Sequence, residues 1–316
     1  MAFSPGVNCR AGITFCILSL LIGTVIYYNV SVGIDESIRV PSVKLLNEEL
    51  NVRLKSTQVT QRLPTCILIG VQKGGTGALI EFLDLHPDIV VLHKEAHFFD
   101  IEERYSKGLD YYRSRMPFSL PDQVTIEKTP AYFHEEKVAR RVYQMNSSLR
   151  LLLSVRNPVT RILSAYAMTS EVHNITLPPI AKILFDSHGN VNSNLKMLQV
   201  SVYHVHLSRW LQYFPRQNIH IIDAENFIAD PYSIMYKIER FLGIGHKISK
   251  QDIYFDIQKG FYCMIKNNVS ACLPPSKGIK HPDLLVNELE KLNKYFKPLN
   301  ERFFKLADRR FNWKYR

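Results

Sequence analysis

Apolar and polar positions along the chain fall into three regimes. From Ala11 to Val30 no charged residue interrupts a run rich in Ile, Leu, Val, Phe and Tyr. A helix of about 20 residues spans a bilayer, so this run predicts a transmembrane signal anchor behind a short tail, residues 1–10. Residues 31–63 are polar and lack a strong period, which predicts a stem. From Pro64 to the end, short apolar runs alternate with segments of helical period. That alternation predicts an α/β layer fold with a largely parallel sheet, filling residues 64–316. Strands are expected at Cys66–Val71, Ile89–Leu92, Val124–Glu127, Leu151–Val155 and Ile219–Ile222. Helices are expected at Thr76–Leu85 and Glu135–Met145, from Val159 onward, and at Asn194–Tyr213, Pro231–Phe241 and Leu284–Leu306. Tyr254–Cys263 and the polar loop after it read as a hairpin.

Charge adds a partner. The chain of 316 residues carries a net charge of +11, with a pI near 9.3. Such a balance suits a polyanion: nucleic acid, an anionic membrane or an acidic polysaccharide. The N-terminus narrows the choice. Arg10 alone precedes the apolar run, while Asp35, Glu36 and Arg39 follow it. The asymmetry favours a cytoplasmic N-terminus and a lumenal remainder. A cleaved signal peptide is the alternative, although no small-x-small cleavage site follows the run. Cys9 and Cys16 lie in or beside the anchor, and Cys66 belongs to an apolar strand. Cys263 and Cys272 remain, on either side of a polar loop, and an oxidising lumen would join them. Sequons at Asn146, Asn174 and Asn268 suit the same compartment, whereas Asn29 lies too near the membrane for use.

Four constellations carry chemistry. In Thr65-Cys-Ile-Leu-Ile-Gly-Val-Gln-Lys-Gly-Gly-Thr-Gly-Ala-Leu79 a strand, a glycine turn and a helix follow one another. Backbone amides and the Lys73 ammonium would then face one point, where a phosphate is the expected occupant. Lys73 precedes Gly74 and Gly75 instead of standing next to Thr76, so the turn is not the triphosphate loop G-x-x-x-x-G-K-[ST]. In His93–Asp100, Glu95 with His97, or His97 with Asp100, offers ligand types for a metal. Strand or turn geometry without a nearby cysteine makes a general base the better reading. Glu127-Lys-Thr-Pro130 brings Lys128 and a hydroxyl to a strand end. Arg156-Asn-Pro158 ends another strand, with Ser164 about two helical turns on. Ligands of open α/β sheets gather at the carboxyl ends of the strands, where these groups would meet.

Together these segments resemble the nucleotide site of the sulfotransferases. The ordered blocks G-V-x-K-G-G-T, H-F-F-D, Y-Y-x-x-x-M-P-F, E-K-T-P-A-Y-F, K-G-F-Y-C and S-K-G resemble the heparan sulfate glucosamine 3-O-sulfotransferases, closest to the isoform-1-like branch. The resemblance implies a P-loop-like three-layer sandwich, a central mainly parallel sheet flanked by helices. It implies sulfuryl transfer from PAPS to heparan sulfate, with no metal required and no nucleic acid as partner. By resemblance Glu95 is the general base, and His97 and Asp100 support it. Lys73 stabilises the leaving phosphate, and Lys128 orients sulfate and acceptor. Gly74, Gly75 and Thr76 contact the 5′-phosphate. Arg156 and Ser164 bind the 3′-phosphate, and Tyr262, Lys277 and Gly278 close over the nucleotide. Gln72 and Gly77 stand where that branch usually carries arginines. Ile279 replaces another arginine, and Asn157 the usual aspartate. A different glycosaminoglycan position, or a catalytically weak heparan-sulfate-binding lumenal protein, are the alternatives. The expected location is the Golgi membrane, single-pass type II, or the Golgi lumen or secreted after signal cleavage.

Overall fold

The computed structural model describes residues 58–173, 175–274 and 280–313. The expected tail and anchor, Asn174, Lys277, Gly278 and Ile279 therefore lie outside the described residues. So does the stem, except for its end. Thr60–Gln61 (β1) pairs antiparallel with Phe118–Ser119 (β4), so residues expected to be stem belong to the folded unit.

The centre is a five-stranded, all-parallel sheet in the order β3-β5-β2-β6-β7. Its strands are Cys66–Gly70 (β2), Ile89–Leu92 (β3), Val124–Lys128 (β5), Arg150–Val155 (β6) and Ile219–Asp223 (β7). All of β2 is buried, as a central strand covered on both faces must be. Successive residues serve opposite faces. Ile67, Ile69, Leu151, Leu153, Ile219 and Ile221 join one apolar cluster. Cys66, Leu68, Leu152 and Ile222 join the other.

Helices cover both faces. Thr76–Leu83 (α1) lies on the Cys66 side. Glu102–Tyr105 (α2) and Gly108–Ser114 (α3) follow β3, and α3 supplies Tyr112 to the opposite cluster, as does Val138–Met145 (α4). Pro158–His173 (α5), Ile180–Leu184 (α6) and Lys196–Gln199 (α7) pack into a third, smaller cluster. Tyr203–Leu211 (α8) returns to the face of α4. Ala224–Ala229 (α9) and Pro231–Leu242 (α10) cover the face of α1. Val286–Ala307 (α11) spans two clusters through Leu292, Phe296, Phe303 and Phe304.

Two expected elements differ. The helix expected at Asn194–Tyr213 is two helices with a break at Val200–Val202. Arg161 of α5 is 1% exposed and has no carboxylate partner among the described residues. Its Nε donates to the Ser201 hydroxyl at 2.5 Å and its Nη2 to the Met197 carbonyl. His206 of α8 reaches back to the Gln199 carbonyl at 2.9 Å. Side chains thus take carbonyls that a continuous helix would use. The expected hairpin is a three-stranded antiparallel sheet, β10-β9-β8, from Ile253–Asp256 (β8), Phe261–Lys266 (β9) and Val269–Ala271 (β10). Cys263 and Cys272 form the expected disulfide across it. Among the described residues Cys66 is the one free thiol; it is buried, and burial raises its pKa far above the ordinary range.

Candidate active site

In the order β3-β5-β2-β6-β7 the chain leaves β2 toward β3 and leaves the adjacent β6 toward β7, in opposite directions. The carboxyl edge of β5, β2 and β6 is therefore the switch point where a ligand crevice opens. The glycine loop leaves β2 at this edge. The Val71 amide donates to the Ser154 carbonyl at 2.7 Å, and the Ser154 hydroxyl donates to the Gly74 carbonyl at 2.6 Å. Only glycine fits position 74, because a Cβ there would stand 2.5 Å from the Ser154 oxygen. Lys73 at φ 68° and Gly75 at φ 79° flank it in the left-handed region. Gly75 is the N-cap of α1, and no side chain caps that terminus. Thr76 opens the helix and is buried. Uncapped amides beside a lysine form an anion-binding concavity. Gln72 is exposed, and its carbonyl accepts from Arg161 Nη1 at 3.4 Å.

Arg156 follows β6 and is half-buried. Its carbonyl accepts the Tyr203 hydroxyl at 2.8 Å. Its Nε is buried without a hydrogen-bond partner, 3.7 Å from Glu225 Oε1. Burial, with Asp223 beside it, pushes the Glu225 carboxyl up to about 7. A carboxyl drawn toward neutrality compensates less of the Arg156 charge beside it. Burial and the nearby cations Arg156 and Lys73 hold His281 below the ordinary histidine range, so both cations act in one region. Ser164 is half-buried on α5. Tyr262 lies on β9, its ring edge-on to Phe255 at 5.2 Å, against the cluster shared with α1.

The other expected residues converge. Lys128 ends β5 and is 7% exposed; its Nζ donates to Glu95 Oε1 at 2.6 Å. Glu95 Oε2 lies 3.2 Å from His97 Nε2, and His97 Nδ1 lies 2.7 Å from Asp100 Oδ2. Lys128, Glu95, His97 and Asp100 thus form one chain of charge-assisted contacts. Glu95 is partly exposed, so its carboxylate can meet an incoming hydroxyl. Both His97 nitrogens face carboxylates, an arrangement that orients the ring. Among the described residues, the one close group of three potential metal-ligand side chains is Asp256, Cys263 and Cys272, and both sulfurs belong to the disulfide.

Four residues in and beneath the site had no assigned role. Glu127, Thr129 and Tyr112 are buried under the Glu95 loop, and Arg161 lies beneath the glycine loop. Glu127, Thr129 and Tyr112 stand inside the E-K-T-P and Y-Y-x-x-x-M-P-F blocks, and that was their signal. Arg161 had none. A buried guanidinium with only neutral partners is costly, and no periodicity announces it.

Comparison with known proteins gives the family. The model of the sulfotransferase domain family matches residues 63–305. The chain is 44% identical over 260 residues to heparan sulfate glucosamine 3-O-sulfotransferase 5 of Mus musculus, covering 81% of this chain and 75% of that one. It is 37% identical over 257 residues to heparan sulfate glucosamine 3-O-sulfotransferase 6 of Homo sapiens, covering 80% and 74%. A sulfotransferase from Alicyclobacillus acidocaldarius shares the fold, with TM-score 0.59 and 22% identity over 79% of this chain and 98% of that one. With a parallel sheet that ends in a lysine-glycine loop on one side and a paired carboxylate and lysine on the other, this chain belongs to the sulfotransferase family, among the heparan sulfate glucosamine 3-O-sulfotransferases.

Proposed function

We propose that this protein transfers a sulfuryl group from PAPS to the 3-hydroxyl of a glucosamine residue in heparan sulfate. One observation carries the reading: Lys128 and His97 hold the partly exposed Glu95 carboxylate at the strand edge where the glycine loop opens. The site fits a nucleotide with two phosphate groups. Uncapped amides and Lys73 lie on one side, and Arg156, with its Nε unsatisfied, lies on the other.

When bound, the donor supplies the sulfuryl group. Glu95 takes the proton from the attacking hydroxyl, whose oxygen then bonds to sulfur as the bond from sulfur to the phosphate oxygen breaks. Lys73 and the amides of Gly75 and Thr76 hold the negative charge that collects on the released phosphate, while the Gly74 amide donates to the Val71 carbonyl at 2.9 Å and shapes the loop. Lys128 keeps Glu95 oriented and faces the group in transit. His97, tethered by Asp100, fixes the second oxygen of Glu95. None of these steps calls on a metal. Arg156, with Ser164, holds the 3′-phosphate, and Tyr262 covers the nucleotide; the roles of Lys277 and Gly278 rest on the sequence resemblance alone, since both lie outside the described residues. Placement in the isoform-1-like branch rests on the ordered sequence blocks.

Lumenal placement in the Golgi, behind the anchor at residues 11–30, belongs to the same proposal. Among the described residues no helix is long and apolar enough to cross a membrane, and the anchor lies outside them. The Cys263–Cys272 disulfide supports an oxidising compartment. Asn146 and Asn268 are exposed at turns, which supports their use as glycosylation sites.

The test is Glu95→Gln. With labelled PAPS and heparan sulfate the wild-type chain should label the glucosamine 3-hydroxyl. The variant should lose transfer by at least about 100-fold, the ordinary contribution of a general base. Its affinity for the desulfated nucleotide should hold. Normal turnover in the variant removes Glu95 as the base, and label at another position moves the acceptor site.

A further inference from the structure

Glu127 takes no part in the transfer just described, yet its surroundings give it a task. Its carboxyl group is wholly buried near the end of β5, one residue before Lys128. The Tyr112 hydroxyl donates to Oε2 at 3.2 Å. The Thr129 hydroxyl donates to Oε1, and the Ala96 amide donates to the same oxygen at 3.4 Å. The Thr129 oxygen in turn accepts the His97 amide at 3.2 Å. Both amides that follow Glu95 are therefore tied to one carboxyl–hydroxyl pair on the strand that delivers Lys128.

The loop needs such a grip. His97 sits at φ 48°, in the left-handed region. A non-glycine residue held there costs on the order of 1–3 kcal/mol and stays only where its surroundings impose it. The Ala96 carbonyl accepts from Arg104 at 2.5 Å, and the Phe98 amide donates to the Tyr132 hydroxyl at 2.9 Å, so neighbouring positions are held as well. At Ala96 and His97 themselves, the amides have Glu127 and Thr129.

We infer that Glu127 is a positioning residue for the transfer: with Thr129 it clamps the backbone of Ala96 and His97, so that the Glu95 carboxylate stays in register with Lys128 and His97. The inference deepens the reading of Glu95 as the base and rests on it. The titratable and charged groups around Glu127 are Tyr112 from α3, Tyr132 from the turn after β5, and Glu95, His97 and Asp100 from the loop. Arg104 comes from α2 and Lys128 from its own strand. Burial pushes the Glu127 carboxyl up to about 7; hydrogen bonds from Thr129, Ala96 and Tyr112 oppose the rise, and Asp100 adds to it. The ionised carboxylate accepts from all three donors. Once protonated it has a hydrogen of its own to place among them, which loosens the clamp. The clamp therefore tightens as pH rises through neutrality.

Glu127→Gln and Thr129→Val in the full chain test this. Amide hydrogen exchange at Ala96 and His97 should speed up at least tenfold in Glu127→Gln, and at His97 in Thr129→Val. In Glu127→Gln kcat should fall at least tenfold and lose an inflection near pH 7. The KM for donor and acceptor and the affinity for desulfated nucleotide should stay within twofold. Thr129→Val should lower kcat and keep the inflection. Unchanged exchange and an unchanged kcat profile overturn the inference. So does a kcat loss matched by an equal loss of nucleotide affinity, which marks general collapse of the site. If the wild-type chain transfers no sulfate, the reading of Glu95 fails, while the exchange rates still decide whether Glu127 clamps the loop.

Discussion

Replacing the Glu127 carboxyl by a carboxamide changes how stability responds to acid, by an amount that burial sets. The group loses its proton at about 7 in the folded chain, against an ordinary 4.5. An acid raised in this way binds its proton more tightly folded than unfolded. Its contribution to stability is complete below 4.5 and is lost as pH rises through about 7. One pKa unit is worth about 1.4 kcal/mol, so acidifying from pH 7 to pH 5 restores about 2 kcal/mol at this site. Glu127→Gln cannot titrate. Over the same interval its unfolding free energy should therefore fall about 2 kcal/mol behind that of the parent. Urea unfolding of both proteins at pH 7 and pH 5 measures this as a double difference, in which the other titrating groups cancel. His220→Phe is the control of opposite sign. Burial holds His220 at about 4 against 6.5, its ring stacked on Phe241 at 5.1 Å. A histidine lowered in this way contributes stability above 6.5 that is lost as pH falls through 4, so its removal should spare about 2 kcal/mol of acid loss. A Glu127→Gln protein that follows its parent within about 0.5 kcal/mol between the two pH values refutes the reasoning.

Gly74→Ala should weaken binding of the desulfated nucleotide more than tenfold in calorimetry and cost about 1–3 kcal/mol of stability. The added Cβ meets the backbone oxygen of Ser154, which cannot yield without moving β6; unchanged affinity would take the glycine loop out of the site. Reducing the Cys263–Cys272 disulfide opens a loop with a sequence separation of 9 residues. The chain-entropy argument predicts a loss of roughly 2–3 kcal/mol, measurable as a shift of the denaturation midpoint, and no shift would mean that the small sheet holds the loop by itself.

Strands buried on both faces were legible because their sequences are continuous apolar runs, and Ile89–Leu92 is found where its pattern placed it. Glu95, His97, Asp100 and Lys128 were legible as residue types, since each sits in a compact block near the end of a strand. The broken helix at Val200–Val202 was not. At the break, Arg161, far away in sequence on α5, donates to Ser201 and Met197, and His206 reaches back to Gln199. Glu127 was visible as a letter beside Lys128, but local pattern does not distinguish a solvated carboxylate from one that is wholly buried.

By itself, the sequence determined the class of the fold, the glycine loop and the inventory of acid, base and cations, because these follow from local period and residue chemistry. The tertiary structure alone decided which of those groups share a site. It brought Lys128 to Glu95 and His97 to Asp100, and it placed Arg156 beside Glu225. It also converted Glu127 from a surface-type residue into a buried clamp. The reason is physical: burial sets both the cost of a charge and the strength of its partners, and burial is a property of the packed chain rather than of any stretch of it.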